Sequence, residues 1–155
     1  MGTDPRARVA ARVDRYWPFI NELGQGHKVA QSWIQAIIHE ESGGNPVATR
    51  DEPRLRDASY GLMQVLCRTA RGLGFSGPCA QLLDPRRNIA YGTRFFHDLL
   101  ARYAEPGAAL AHYNGGPKAA RAWRRGKRRT LATRYAQRVL ALAAFYAHRN
   151  RALGR

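Results

Sequence analysis

An apolar helix that runs straight into a carboxylate constrains this chain more than any other feature. Residues 33–46 read WIQAIIHEESGGNP, and SYGLMQ follows at 59–64 after a charged stretch. On a helix turning about 100° per residue, Val29, Ala30, Trp33, Ile34, Ile37 and Ile38 share one broad stripe. Gln31, Ser32, Gln35 and His39 take the opposite face. Glu41 falls about 30° from the middle of the apolar stripe, and Glu40 about 70° from it. Ile37 and Ile38 lie on the same face as Glu41, one turn earlier. Gly43 and Gly44 end the helix and leave room beside the side chain. A carboxyl held against apolar groups loses hydration chiefly in its charged form, so its pKa rises. A general acid working near neutral pH needs that.

The pattern leaves a second reading open: a helix-end carboxylate that simply faces water, since Glu is rarely buried. The C-terminal end of a helix disfavours negative charge, however, so such a residue would have no stabilising job. The surrounding segments carry more information. Glu41-Ser42, then Gly61-Leu62-Met63-Gln64, then Ala111-His112-Tyr113-Asn114-Gly115-Gly116 occur in that order. This resembles the goose-type lysozyme and lytic transglycosylase superfamily. The superfamily signature is an apolar helix ending in Glu-Ser, a Gly-Leu-Met-Gln segment and a later Ala-Tyr-Asn-Ala-Gly segment. Asn88-Ile89 with Gly92, and Tyr135 with Val139, are similar to two weaker family segments. The resemblance spans about Val29 to Leu142 and implies a mainly α, lysozyme-like single domain with a substrate groove.

The length of 155 residues suits one domain, 1–155, with residues 1–27 expected as an N-terminal helix packing on it. Apolar residues make up 45%, which argues against disorder. No apolar run reaches the roughly 18 residues of a membrane span. The N-terminal stretch MGTDPRARVAARVDRYW lacks the continuous apolar core of a signal peptide, so export would have to come from elsewhere. Net charge is +15, and Lys28, Lys118 and Lys127 are the only cations among the 26 that are not Arg. Such a field draws polyanions in general, and affinity for anionic polymers of the cell envelope is the functional reading. A solvated surface biased towards Arg is the plain one. Cys67 and Cys79 bracket RTARGLGFSGP; a disulfide there would be worth about 3 kcal/mol, and two reduced thiols are the alternative.

In chain order, Arg8–Leu23 reads as one helix and Lys28–Glu41 as the next. Pro46–Ala58 reads as a charged loop, an insert relative to the family. Gly61–Arg71 reads as a short helix, and Gly72–Pro78 as a loop. Asp84-Pro85 is a helix start, with the helix running to about Tyr103. Pro106–Tyr113 and Pro117–Trp123 read as short helices separated by Asn114-Gly115-Gly116. RRGKRRT is a basic turn, and Thr130–Arg149 the last helix. No repeat, domain linker or convincing strand emerges.

Glycoside hydrolysis ordinarily takes two carboxyl groups, and only Glu41 stands in a well-formed motif. The resemblance implies a lytic transglycosylase that cuts the MurNAc-GlcNAc β-1,4 bond of peptidoglycan glycan strands. Glu41 would protonate the bond oxygen, then as carboxylate take a proton from the sugar's own 6-hydroxyl, which closes a 1,6-anhydro ring. Tyr113 is similar to the tyrosine whose hydroxyl orients the acid. The implied substrate-binding set is Ser42, Ser59, Met63, Gln64, Asn114 and Tyr135. Within it Ser42 fixes the Glu41 backbone, Gln64 bonds the sugar acetamide, Met63 lines that subsite and Asn114 shapes the turn. Ser59 or Thr49 would replace a family serine that is Arg50 here. As plain readings, Met63 could be core and Tyr113 a core residue with a satisfied hydroxyl. The acid that goose-type lysozymes carry after Gly-Leu-Met-Gln is missing, because the position is Leu66. Asp51, Glu52 and Asp57 lie in the charged loop and keep a muramidase open, with Asp57 as the water-activating acid. A different class, a non-catalytic basic protein binding cell wall or nucleic acid, would ignore Glu41. The family's Glu-Thr before the late tyrosine is Leu131-Ala132 here, which removes its stem-peptide contact. His39 and His112 read as surface residues. No metal set, phosphate loop or nucleophile triad appears, so no cofactor and no specific nucleic acid are expected. The expected protein is a monomer in the periplasm or outside the cell.

Overall fold

The computed structural model describes residues 4–155. Its centre is the helix that carries Glu41. This helix, α3 (Gln31–Ser42), packs along most of the last helix, α7 (Leu131–Ala152). Helix α6 (Pro106–Arg124) packs beside α7, and α5 (Pro85–Tyr103) beside α6. Helices α1 (Pro5–Asp14) and α2 (Trp17–His27) close the other side of α3, and α2 also meets α5. Ala10, Val13, Ile20, Ile34, Ile37, Phe96, Leu110, Val139 and Tyr146 belong to one continuous buried cluster, so residues before Val29 share the core of the rest.

The helix boundaries follow local chemistry. Asp4 accepts the Arg6 N–H to open α1, and Asp84 accepts the Arg87 N–H to open α5, each with a proline at the first helical position. Thr130 and Thr133 form a reciprocal capping box at the start of α7. Helix α3 ends on Gly43 at φ 60°, a left-handed conformation that costs glycine little. The single N-terminal helix expected over Arg8–Leu23 is two. The chain breaks at Arg15–Tyr16, because Pro18 in the first turn of α2 has no N–H to give a preceding helical carbonyl.

Three short strands correct the expectation of none. Strands β1 (Thr49–Glu52), β2 (Asp57–Tyr60) and β3 (Val65–Leu66) form an antiparallel sheet in that order. Arg50 faces Ser59 across the β1–β2 ladder, and Ser59 faces Leu66 across the next. The charged insert is thus a hairpin, built by backbone pairing from residues that strands rarely use. The helix expected over Gly61–Arg71 shrinks to α4 (Cys67–Gly72). Gly61 and Gln64 both have positive φ, 71° and 48°, which no α-helix accommodates. Cys67 and Cys79 are joined in a disulfide that ties α4 to the 3-10 turn Cys79–Leu83. Helix α6 runs through Asn114 and Gly115 and kinks at Gly116 (φ 76°, ψ −171°), where Pro117 cannot continue the ladder.

The face of α3 opposite the apolar stripe is not solvent. Gln35 is fully buried and exchanges two amide hydrogen bonds with Asn150 of α7, at 2.7 and 3.3 Å. His39 is half-buried, with Nδ1 2.9 Å from the Tyr146 hydroxyl. Burial beside Arg6 and Arg12 lowers its pKa. His112 is also partly buried, with Nδ1 2.7 Å from the Tyr103 hydroxyl.

Candidate active site

Glu41 sits in the last turn of α3 at the floor of a cleft. Arg50, Glu52, Leu55, Ser59, Gln64, Leu66, Tyr113 and Asn114 line the rest of it. Burial pushes the Glu41 carboxyl up to about 7 from an ordinary 4.5. The Tyr135 hydroxyl donates to Glu41 Oε1 at 2.8 Å and pulls the other way, as does Arg50, whereas Glu40 and Glu52 add to the rise. Desolvation therefore dominates, and close to neutral pH the group exists in comparable amounts as acid and base.

The tyrosines exchange the roles expected of them. Tyr113 lines the cleft, but its hydroxyl donates to the Met63 carbonyl at 2.8 Å. The direct donor to the acid is Tyr135, reaching in from α7. Tyr135 is buried and Tyr113 partly so, and both pKa values lie well above the ordinary value, first from desolvation and then from the charge of Glu41. Each therefore remains a neutral donor over any working pH. Tyr135 belongs to the expected set by position; that its hydroxyl meets Glu41 depends on how α3 and α7 cross.

The Gly61–Gln64 turn is clamped from three sides. Ser42 Oγ donates to the Leu62 carbonyl at 2.8 Å and to Ile38 O at 3.2 Å, and accepts the Gly44 N–H. It positions the helix end against the turn. Buried Asn88 on α5 accepts the Met63 N–H at 2.8 Å and donates to the Tyr60 and Leu82 carbonyls. A Cβ on Gly61 would meet Asn88 Nδ2 at 2.6 Å, and one on Gly92 would meet Met63 Sδ at 2.5 Å. The two weak segments around Asn88 and Gly92 are thus the mould for the turn.

Met63 corrects a second expectation. Its side chain is fully buried against Gly92 and Thr93, because the turn points it down into the core, so it lines no subsite. Gln64 faces the cleft. Its Nε2 donates to Ala48 O and Gly61 O, both at 3.0 Å, which leaves its side-chain oxygen as the acceptor. Ser59 and Asn114 also line the cleft, and Thr49 does not.

Asp57, expected as a water-activating acid, is not among the residues that line the cleft. Its Oδ1 accepts the Ala58 N–H at 2.8 Å and its Oδ2 the Arg68 N–H at 2.9 Å, so it secures the start of α4. The loop carboxylate that does line the cleft is Glu52, paired with Arg50 at 3.4 Å. Leu66 supplies an apolar wall where a second acid would stand. Among the described residues no group of three His, Cys, Asp or Glu could hold a metal ion, and no helix is long and apolar enough to cross a membrane.

Known proteins carry the same framework. The soluble lytic murein transglycosylase of Escherichia coli strain K12 is 32% identical over 106 residues, 63% of this chain and 16% of that one. A transglycosylase of Enterobacteria phage PRD1 is 28% identical over 102 residues, 66% of this chain and 35% of its own length. The crystal structure of the 70 kDa soluble lytic transglycosylase from Escherichia coli superposes with a TM-score of 0.73 at 25% identity. It covers 86% of this chain and 24% of the larger one. The chain thus spans half or less of these relatives. The family profile described as Transglycosylase SLT domain matches residues 18–136, from the first turn of α2 to the helix that brings Tyr135 to Glu41, and on that match the chain belongs to the Transglycosylase SLT domain family.

Proposed function

We propose that this domain is a peptidoglycan lytic transglycosylase, acting as a monomer in the periplasm or at the cell wall with Glu41 as sole acid and base. The carrying observation is a carboxyl near pKa 7, desolvated and held by Tyr135, opening onto a cleft lined by Gln64, Tyr113 and Asn114. Similarity to lytic murein transglycosylases supports the substrate class. In the first step the protonated carboxyl gives its proton to the glycosidic oxygen and the bond from C1 to that oxygen breaks. The carboxylate then takes the proton of the 6-hydroxyl as O6 bonds to C1, which leaves Glu41 protonated again and a 1,6-anhydromuramic end. The nucleophile is tethered in the substrate, so no second acid has to hold a water. The free oxygen of Gln64 suits the N–H of an acetamido group.

A muramidase reading survives in one form. Glu52 shares the cleft with Glu41 and on this reading would be the carboxylate that holds a water. Digestion of purified peptidoglycan followed by mass spectrometry separates the two: anhydro ends are expected, and reducing ends would make the protein a hydrolase. Glu41→Gln should abolish release of fragments while the fold persists; full activity in that variant would overturn the proposal.

A further inference from the structure

Charge is divided very unevenly along the chain. No Asp or Glu follows Glu105, whereas residues 106–155 carry twelve Lys and Arg, so twelve of the fifteen net charges reside in the last fifty residues. Arg138 pairs with Glu40, and Arg149 and Arg155 pair with Asp14. Eight more cations lie between Lys118 and Arg134, all exposed, and among the described residues none is within ion-pair distance of a carboxylate. They occupy the end of α6, the turn 125–130 and the first turn of α7.

This turn is a fixed platform. The Lys127 N–H reaches Ala122 O at 3.0 Å and the Gly126 N–H reaches Trp123 O at 2.9 Å. The Arg128 guanidinium lies 3.7 Å over the Trp123 ring and donates to Trp123 O, while Gln137 donates to Arg128 O. The platform also adjoins the cleft. A Cβ on Gly115 would meet the Ala132 Cβ at 2.7 Å, so the start of α7 lies against the residue next to cleft-lining Asn114. Lys118 lies four residues after Asn114, just past the Gly116 kink, and the end of α6 lies some 9 Å beyond Lys118.

We propose that the α6–α7 turn is a docking ridge for a linear, non-aromatic, phosphate-bearing polyanion running beside the glycan cleft. Guanidinium groups on a rigid frame match phosphate oxygens in fork geometry, and a polymer engages several at once with release of its counter-ions. Nucleic acid fits less well. Trp123 is buried, with one face covered by Arg128 and its ring N–H given to Glu105, so no aromatic platform is left for bases. An anionic membrane surface fits less well too, because Leu131 is the one large apolar side chain exposed beside the ridge.

The test is equilibrium binding of the full chain to inorganic polyphosphate of defined length across a salt series, with no enzymatic readout. Arg121→Gln, Arg125→Gln, Lys127→Gln and Arg129→Gln are combined, and Arg128 is kept because it braces the turn. A control of equal charge combines Arg8→Gln, Arg15→Gln, Arg102→Gln and Arg151→Gln. The ridge variant should bind at least tenfold more weakly and lose about three from its salt slope, at about 0.7 per lost phosphate contact. The control should stay within threefold of the parent. Equal losses in both variants would assign the affinity to net charge and overturn the ridge. Equal binding of poly-glutamate would overturn the phosphate assignment, and tighter binding of single-stranded DNA at matched charge would assign the surface to nucleic acid instead.

Discussion

Glu41→Gln should make this protein inactive and, at neutral pH, more stable. The folded carboxyl titrates near 7 and the ordinary value is 4.5, so the native state holds this proton more tightly than the unfolded chain does. Between those values folding takes up a proton. Stability conferred by the protonated group is therefore complete below about pH 4.5, falls as pH rises, and is gone above about pH 7. At about 1.4 kcal/mol per pH unit, the ionised carboxylate costs the fold about 3 kcal/mol at pH 8. The amide of Gln carries no charge and retains an oxygen for Tyr135. At about 2–4 °C per kcal/mol for a chain of this size, the variant should melt roughly 6–12 °C above the parent at pH 8. At pH 4.5 the two should nearly coincide. Calorimetric melts at both pH values decide. A difference independent of pH, or a parent more stable at pH 8, would refute the claim that burial sets the ionisation of Glu41.

Tyr135→Phe removes the donor that favours the ionised carboxyl, so the Glu41 pKa should rise by about one unit; carbon NMR titration of the carboxyl reads this directly, and a fall would contradict it. Tyr113→Phe, which unpairs the Met63 carbonyl instead, should move that titration much less. Asn88→Ala strands one buried N–H and two carbonyls and should cost about 3 kcal/mol or more in denaturant unfolding; a loss under about 1 kcal/mol would show that the clamp is dispensable. Thiol titration of the denatured, unreduced protein should find no free cysteine, and Cys79→Ser should lower stability by about 3 kcal/mol, whereas two titrating thiols would remove the bond.

What could be read in the chain depended on how local its cause was. Glu41 is legible because Ile37 and Ile38 lie one turn before it in the same helix and Gly43 caps that helix two residues later. The start of α5 was legible because Asp84-Pro85 is a complete signal in two residues. The hairpin is not, because its strands carry no apolar alternation and are held by backbone pairing and by bonds from distant side chains such as Asn88. The burial of Gln35, on the face opposite the apolar stripe, is not legible locally because its partner Asn150 is 115 residues away. The exchange between Tyr113 and Tyr135 has the same origin. A motif names both, but only the packing of α6 and α7 around α3 decides which hydroxyl meets the acid. Met63 fell on the wrong side because the positive φ at Gly61 and Gln64 sets the direction of everything between them.

The hairpin is fastened by side-chain bonds at its base and by a backbone turn alone at its tip. Asn88 and the Gly61–Gln64 turn secure the base, while Arg54, Leu55 and Arg56 at the tip are exposed and make no side-chain hydrogen bond. Leu55 nevertheless forms part of the cleft wall. The tip side chains take no part in the bonds that hold Glu41, Tyr135 and the Gly61–Gln64 turn, so changes there should leave those bonds in place. If the domain cuts glycan strands as proposed, this tip is where a laboratory library, or natural drift, would alter which decorations it tolerates.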